Sequence, residues 1–155
     1  MKISIPLLKN IALWVCFLIS FGVFGQSTKI NPTGTYTLGT EVKNGDTYGR
    51  FGNIKVKQID SSKIVILLFV CRGAPSYNQG FAYDTLVIKN NVAIYTTETD
   101  TSCKVIFNFH KDGIKVEERT NDYNMGCGFG HAVMADGFYK RKSNKIPTDE
   151  ELNEH

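Results

Sequence analysis

Residues 125 to 141, MGCGFGHAVMADGFYKR, gather a cysteine, a histidine and an aspartate among glycines. A thiol, an imidazole and a carboxylate are the parts of a nucleophile, its base and the group that orients the base. Cys127, His131 and either Asp122 or Asp136 therefore make one candidate reactive set. The spacing argues against it. On extended or turning backbone a separation of four holds the two side chains apart unless the chain doubles back, and no helix terminus is at hand to lower the thiol pKa. Zinc fits no better, because Cys127, His131 and the remote Cys71 or His110 lack the paired short spacings of structural zinc. Nor do the glycines follow a strand and open a helix, as a phosphate-binding loop requires. The expectation is no catalytic set, no metal and no cofactor. A structural clasp remains, in which Gly126, Gly128 and Gly130 bend the chain, Cys127 pins it, and Ala135-Asp136-Gly137 starts a closing strand.

The clasp needs an oxidising compartment, and the first residues supply the route to one. Lys2 and Lys9 precede an apolar run from Ile11 to Phe24, shorter than the roughly 20 residues that span a bilayer. This is the pattern of a secretory signal over residues 1–25, cut before Gln26, with an uncleaved anchor as the alternative. The expected location is periplasmic or secreted, with no stable membrane insertion after cleavage. Three cysteines then remain: Cys71, Cys103 and Cys127. They allow three single bridges and always leave one thiol over. Cys103 to Cys127 is favoured, since it ties the start of a hairpin to the irregular loop beyond it, at a stabilisation of roughly 3 to 4 kcal/mol. Cys71, at the end of the most apolar strand, is then a buried thiol.

The elements that must position these residues are strands. After residue 33 apolar residues recur with period two, and Gly, Asn and Asp punctuate the chain. Strands are expected over about 34–40, 51–59, 63–71, 81–89, 91–98, 103–110, 114–120 and 133–141. Asn90-Asn91 and Asp112-Gly113 favour the positive φ of two-residue hairpins. In 103–110, Cys103, Val105, Phe107 and Phe109 share an inward face. IVILLFV, residues 64–70, is apolar on both faces and calls for an extra layer, a partner or a ligand on its outer side. Eight antiparallel strands suit a single all-β domain over 34–142, an up-and-down, lipocalin-like barrel in which GTYTL pairs with GFYKR. A two-sheet β-sandwich is the alternative. Residues 26–33 form an N-terminal lead, and 143–155 a charged tail without fixed structure, in which DEELNE is the one stretch of helical period.

Composition narrows the partners. Without Lys2 and Lys9 the 18 basic residues fall to 16 against 15 acids, which gives no electrostatic footprint for nucleic acid. Lys140, Arg141, Lys142 and Lys145, followed by the acids of the tail, read as a solvated end. The candidate binding surface is the loop RGAPSYNQG, and within it Arg72, Ser76, Tyr77, Asn78 and Gln79, because arginine and exposed tyrosine are the types that anchor interfaces. Tyr48 and Tyr123 could join Tyr77 in such a surface. A barrel with an open apolar interior would favour a small ligand, and a filled one with a conspicuous loop patch a protein partner. The chain is expected to act as a monomer.

Four segments also carry a resemblance: GTYT near the start, RGAPSYNQG, SCKVIFNF and CGFGHAVMADGFYKRK. Together, over about 34–142, they resemble a group of small exported proteins of Bacteroidota and other Gram-negative bacteria. The resemblance implies an all-β envelope domain with the cysteines at 103 and 127 paired and Cys71 an addition to the pattern. In architecture the chain is similar, more loosely, to periplasmic lysozyme inhibitors, which implies a binding protein whose partner could be a hydrolase. A secreted structural or immunity-type module is the alternative function, and an enzyme built on Cys127 and His131 the remotest.

Overall fold

The period-two alternation becomes an inside and an outside. In chain order the elements are β1 (Gly34–Leu38), β2 (Glu41–Lys43), β3 (Asp46–Tyr48), β4 (Phe51–Gln58), β5 (Lys63–Cys71), β6 (Gln79–Lys89), β7 (Val92–Tyr95), β8 (Lys104–Phe109), β9 (Gly113–Arg119), β10 (Gly137–Ser143) and α1 (Asp149–Asn153). The structure, a computed structural model, describes residues 28–39, 41–97, 100–122, 124, 125 and 127–153. The expected signal over 1–25, together with Tyr123 and Gly126, lies outside the described residues. Eight antiparallel strands close into an up-and-down barrel in the order β1-β10-β9-β8-β7-β6-β5-β4, and β2-β3 forms a separate hairpin. The barrel rather than the sandwich is thus the fold. Closure runs through β1, which pairs β10 at Tyr36↔Arg141 and β4 at Tyr36↔Ile54.

All eight barrel strands send side chains inward, and the interior is packed with them. Tyr36, Ile54, Leu68, Phe107, Ile114 and Tyr139 are wholly buried. The two inward tyrosines keep their hydroxyls satisfied, Tyr36 donating to Pro32 O at 2.6 Å and Tyr139 to Ala135 O at 3.1 Å. Loss of solvent pushes the Tyr36 pKa up to about 12 against the opposing pull of Arg141, and the same burial raises Tyr139. On β8 the expected inward face is as read, with Cys103, Val105, Phe107 and Phe109 all buried.

Four expectations need correction. The hairpin β2-β3 has no counterpart among the expected strands, because Val42 is its one aliphatic residue and its faces carry no apolar alternation. Asn44 and Gly45 at its turn have φ of 52° and 85°. The β8-β9 hairpin turns at Lys111-Asp112 without positive φ; Gly113 serves close packing, since a Cβ there would lie 2.5 Å from Tyr139 O. The closing strand starts at Gly137 rather than 133, because Val133 and Ala135 turn into the core before pairing begins.

The charged tail, finally, returns to the barrel. Thr148 and Glu151 exchange side-chain and backbone hydrogen bonds at 3.1 and 2.8 Å, a capping box that starts α1. Lys55 Nζ donates to Glu151 O and Lys57 Nζ pairs with Asp149, which lays the helix over the outer face of β4. Leu67, outward on β5 opposite Lys55, and Leu152 of α1 are both 2 % exposed, yet neither belongs to the interior cluster. The outward side of β5 is covered in parts: Leu67 is buried beside the strand that α1 lies over, and Phe69 packs against Phe51 and Phe81.

Candidate binding surface

One end of the barrel carries all the long connections: 39–50 with its hairpin, 72–78, 96–103 and 120–136. The last of these closes the mouth. Cys127 is bonded to Cys103 at the start of β8, and Phe129, Val133 and Ala135 are 1 %, 0 % and 0 % exposed in the interior cluster. Phe129 lies against Gly80 of β6, where any side chain would collide with it.

A second fastener is Glu118. It takes the inward position after Ile114 and Val116 on β9 and is 8 % exposed. Its Oε1 accepts from Cys127 N at 3.1 Å and its Oε2 from Ala135 N at 2.7 Å, so one carboxylate holds both arms of the loop. Burial raises its pKa, and these two N–H bonds oppose the rise. The backbone of the same residue donates to Asp136 Oδ1, and Asp136 in turn faces Arg50 at 3.8 Å. The sequence EERT offers no motif that marks Glu118. Its parity with Ile114 and Val116 is the one available signal.

The 72–78 loop is moored on both sides. Gly73 has φ of 81°, and its Cβ would strike the β3 backbone, 2.6 Å from Thr47 O, so only glycine fits. Ala74 N donates to Thr47 O at 2.7 Å, and the Tyr77 hydroxyl accepts from Thr47 N at 3.2 Å while donating to Asp46 at 3.0 Å. Asn78 Nδ2 reaches His131 O at 2.8 Å, across to the mouth loop. Arg72 N closes the loop on Asn78 O at 2.9 Å. The structure therefore joins Tyr77 and Asn78 to fixed neighbours and leaves the side chains of Arg72, Ser76 and Gln79 exposed. Tyr48 and Tyr77, 44 % and 38 % exposed, stand on the same end.

Three parts of the reactive set, Cys127, Asp122 and Asp136, are otherwise engaged. The sulfur of Cys127 is in the disulfide. Asp122 accepts from the backbone of Asn124 and Met125, and Asp136 from Glu118. His131 is exposed, and its carbonyl accepts from Asn78. Cys103, Glu118 and Cys127 do bring potential metal-ligand atoms within 4.8 Å of one another, but the two sulfurs are bonded to each other and the carboxylate to backbone N–H groups. Cys71 is a buried thiol whose Sγ accepts from Gly73 N at 3.5 Å. Among the described residues no helix is long and apolar enough to cross a membrane. No protein-family model, curated protein or solved structure matches the chain.

Proposed function

We propose that this is an exported binding protein of the cell envelope, periplasmic or secreted, that engages a protein partner through its long-loop end. The observation that carries the reading is the 72–79 segment. Its backbone and Tyr77 hydroxyl are held by the β2-β3 hairpin and the mouth loop, while Arg72, Ser76 and Gln79 point to solvent. A loop already fixed in shape loses little entropy on docking, and arginine and tyrosine are the side chains that repay it. The packed interior supports a protein rather than a small ligand, since Phe129 and its neighbours occupy the space where a barrel ligand would sit. A disulfide fits an oxidising compartment.

The test is site-specific photo-crosslinking in intact cells, with the photoreactive residue at Ser76 or Gln79 and, as control, at Lys111 on the opposite end. Adducts to one protein from the loop positions are expected, and the purified pair should lose affinity about tenfold or more on Arg72→Ala. Adducts from Lys111 alone, or an Arg72→Ala variant that binds undiminished, would refute the assignment.

A further inference from the structure

β9 and β10 bring their charges to one wall of the barrel. On β9 the side chains of Ile114, Val116 and Glu118 are buried, so alternation turns Lys115, Glu117 and Arg119 outward. On β10 Tyr139 is buried, and Phe138, Lys140 and Lys142 are exposed on the outer side. Lys104 of β8, exposed between buried Cys103 and Val105, stands directly across from Arg119. This wall carries five cations against one acid, Glu117. The 18 basic residues of the chain, less Lys2 and Lys9, barely exceed its 15 acids, so the remainder of the molecule is net acidic.

Most of the positive charge is uncompensated. Glu117 is shared between Lys115 Nζ at 2.8 Å and Arg119 at 3.7 Å. Lys140 is in register with Gly113 on one side and Thr37 on the other, so neither neighbouring strand offers it an acid. Lys104 and Arg119 are like charges facing each other across a strand pair, which repel in the free protein. The acids that follow in the tail are drawn to the far side of β1: Asp149 pairs with Lys57 at 2.6 Å, and Glu151 accepts from Thr148 N at 2.8 Å. Among the described residues Lys104, Lys140 and Lys142 have no ion pair. In their midst Phe138 is 38 % exposed, its ring lying over Gly113, where a Cβ would collide with it.

We propose that this wall docks the barrel on the anionic face of a lipid membrane, with Phe138 entering the headgroup layer. Strand rise and spacing spread the cations over roughly 10 by 25 Å, too far apart for one small anion and suited to a surface that repeats its charge. Each lysine or arginine held near an anionic leaflet favours binding, and an aromatic ring among them adds apolar burial at the interface. An acidic polysaccharide would satisfy the cations but offers no acyl layer to take Phe138. The wall lies between the two barrel ends and across from β5 and β6, so a docked barrel leaves the 72–79 surface open. The inference does not depend on what that surface binds.

The test is co-sedimentation of the purified protein with vesicles of phosphatidylcholine, alone or with one third phosphatidylglycerol. Binding to the anionic vesicles should exceed binding to the neutral ones about tenfold or more, and fall as salt is raised. Lys140→Gln combined with Lys142→Gln should weaken it about thirtyfold, at roughly a factor of five for each cation. Lys63→Gln combined with Lys89→Gln, on the opposite wall, should leave it within about threefold. Phe138→Ser should weaken the binding that persists at high salt. All the proteins compared keep the same N-terminal residues, so the differences read the wall alone. Equal binding to both kinds of vesicle would overturn the proposal. So would no binding, an equal loss from the Lys63 and Lys89 pair, indifference to Phe138→Ser, or a preference for soluble alginate over anionic vesicles.

Discussion

At one end of the barrel the strands join through the short connections 59–62, 90–91 and 110–112, and the lead from Thr28 to Thr33 crosses beneath them. Asn91 holds that lead by accepting from Ile30 N at 2.9 Å and donating to Thr28 O at 3.0 Å. Arg141 holds it with bonds to Thr33 O and Asn31 O, its guanidinium 4.7 Å from the centre of the Tyr36 ring. At the other end a disulfide, a buried carboxylate and a moored loop fasten four long connections. Both ends are shut, but by different means. The turn end relies on local backbone preference and a short strap, whereas the loop end relies on contacts between residues distant in sequence. Surfaces that vary in shape without disturbing the barrel belong at the second kind of end.

The disulfide is the strongest fastener of the loop end. Replacing both Cys103 and Cys127 by serine should cost roughly 3 to 4 kcal/mol in a denaturant titration, the value for a closed loop of this length. It should also free Phe129 and Val133 to leave the mouth. A loss near zero would mean that the clasp is dispensable.

Glu118→Ala comes next, at about 2 to 3 kcal/mol, because the N–H groups of Cys127 and Ala135 lose their acceptor inside the protein. The effect should depend on pH. The pKa of Glu118 is raised in the folded state, so folding favours the protonated form. Its titration therefore adds stability below the ordinary carboxylate range, and this is lost as pH rises through the raised value. The gap between wild type and variant should narrow from acid to neutral pH; urea midpoints across that range check the sign.

At the opposite end Asn91→Ala should cost about 1 to 2 kcal/mol, since Asn91 sits at φ of 62° and anchors the lead. Thermal unfolding measures the loss, and amides 28–33 should lose protection while those of 72–78 keep theirs. Tyr77→Phe should have the smallest effect on stability, because its hydroxyl bonds are exposed. Its signature is faster exchange at the Thr47 amide, with the turn end unchanged.

The same contrast explains how far the residues foretell the fold. Period-two alternation and the Asn90-Asn91 turn point to the barrel because both are local signals, and the inward parity of Cys103 follows from Val105 and Phe107. The partners of Glu118, by contrast, lie nine and seventeen residues further on, and those of Tyr77 about thirty residues back. No window of sequence contains such pairs. Arg141, read as one charge in a solvated cluster, proves to be a clamp for the same reason: its partners include Asn31 and Thr33. The loop 72–80 stands out by composition, but what fixes it in place does not. The capping box of Thr148 and Glu151 is local and legible, yet the contact of α1 with β4 depends on Lys55 and Lys57, far upstream.

The moored 72–78 loop and the fastened mouth loop make the loop end a surface already fixed in shape. Backbone relaxation of the isotope-labelled protein measures this fixity, by giving order parameters for 72–79 and 127–135 beside those of the barrel strands. Values of about 0.85 are expected in both loops, as in rigid backbone. Values below about 0.6 across 72–79 would contradict it and make that segment an ordinary mobile connection.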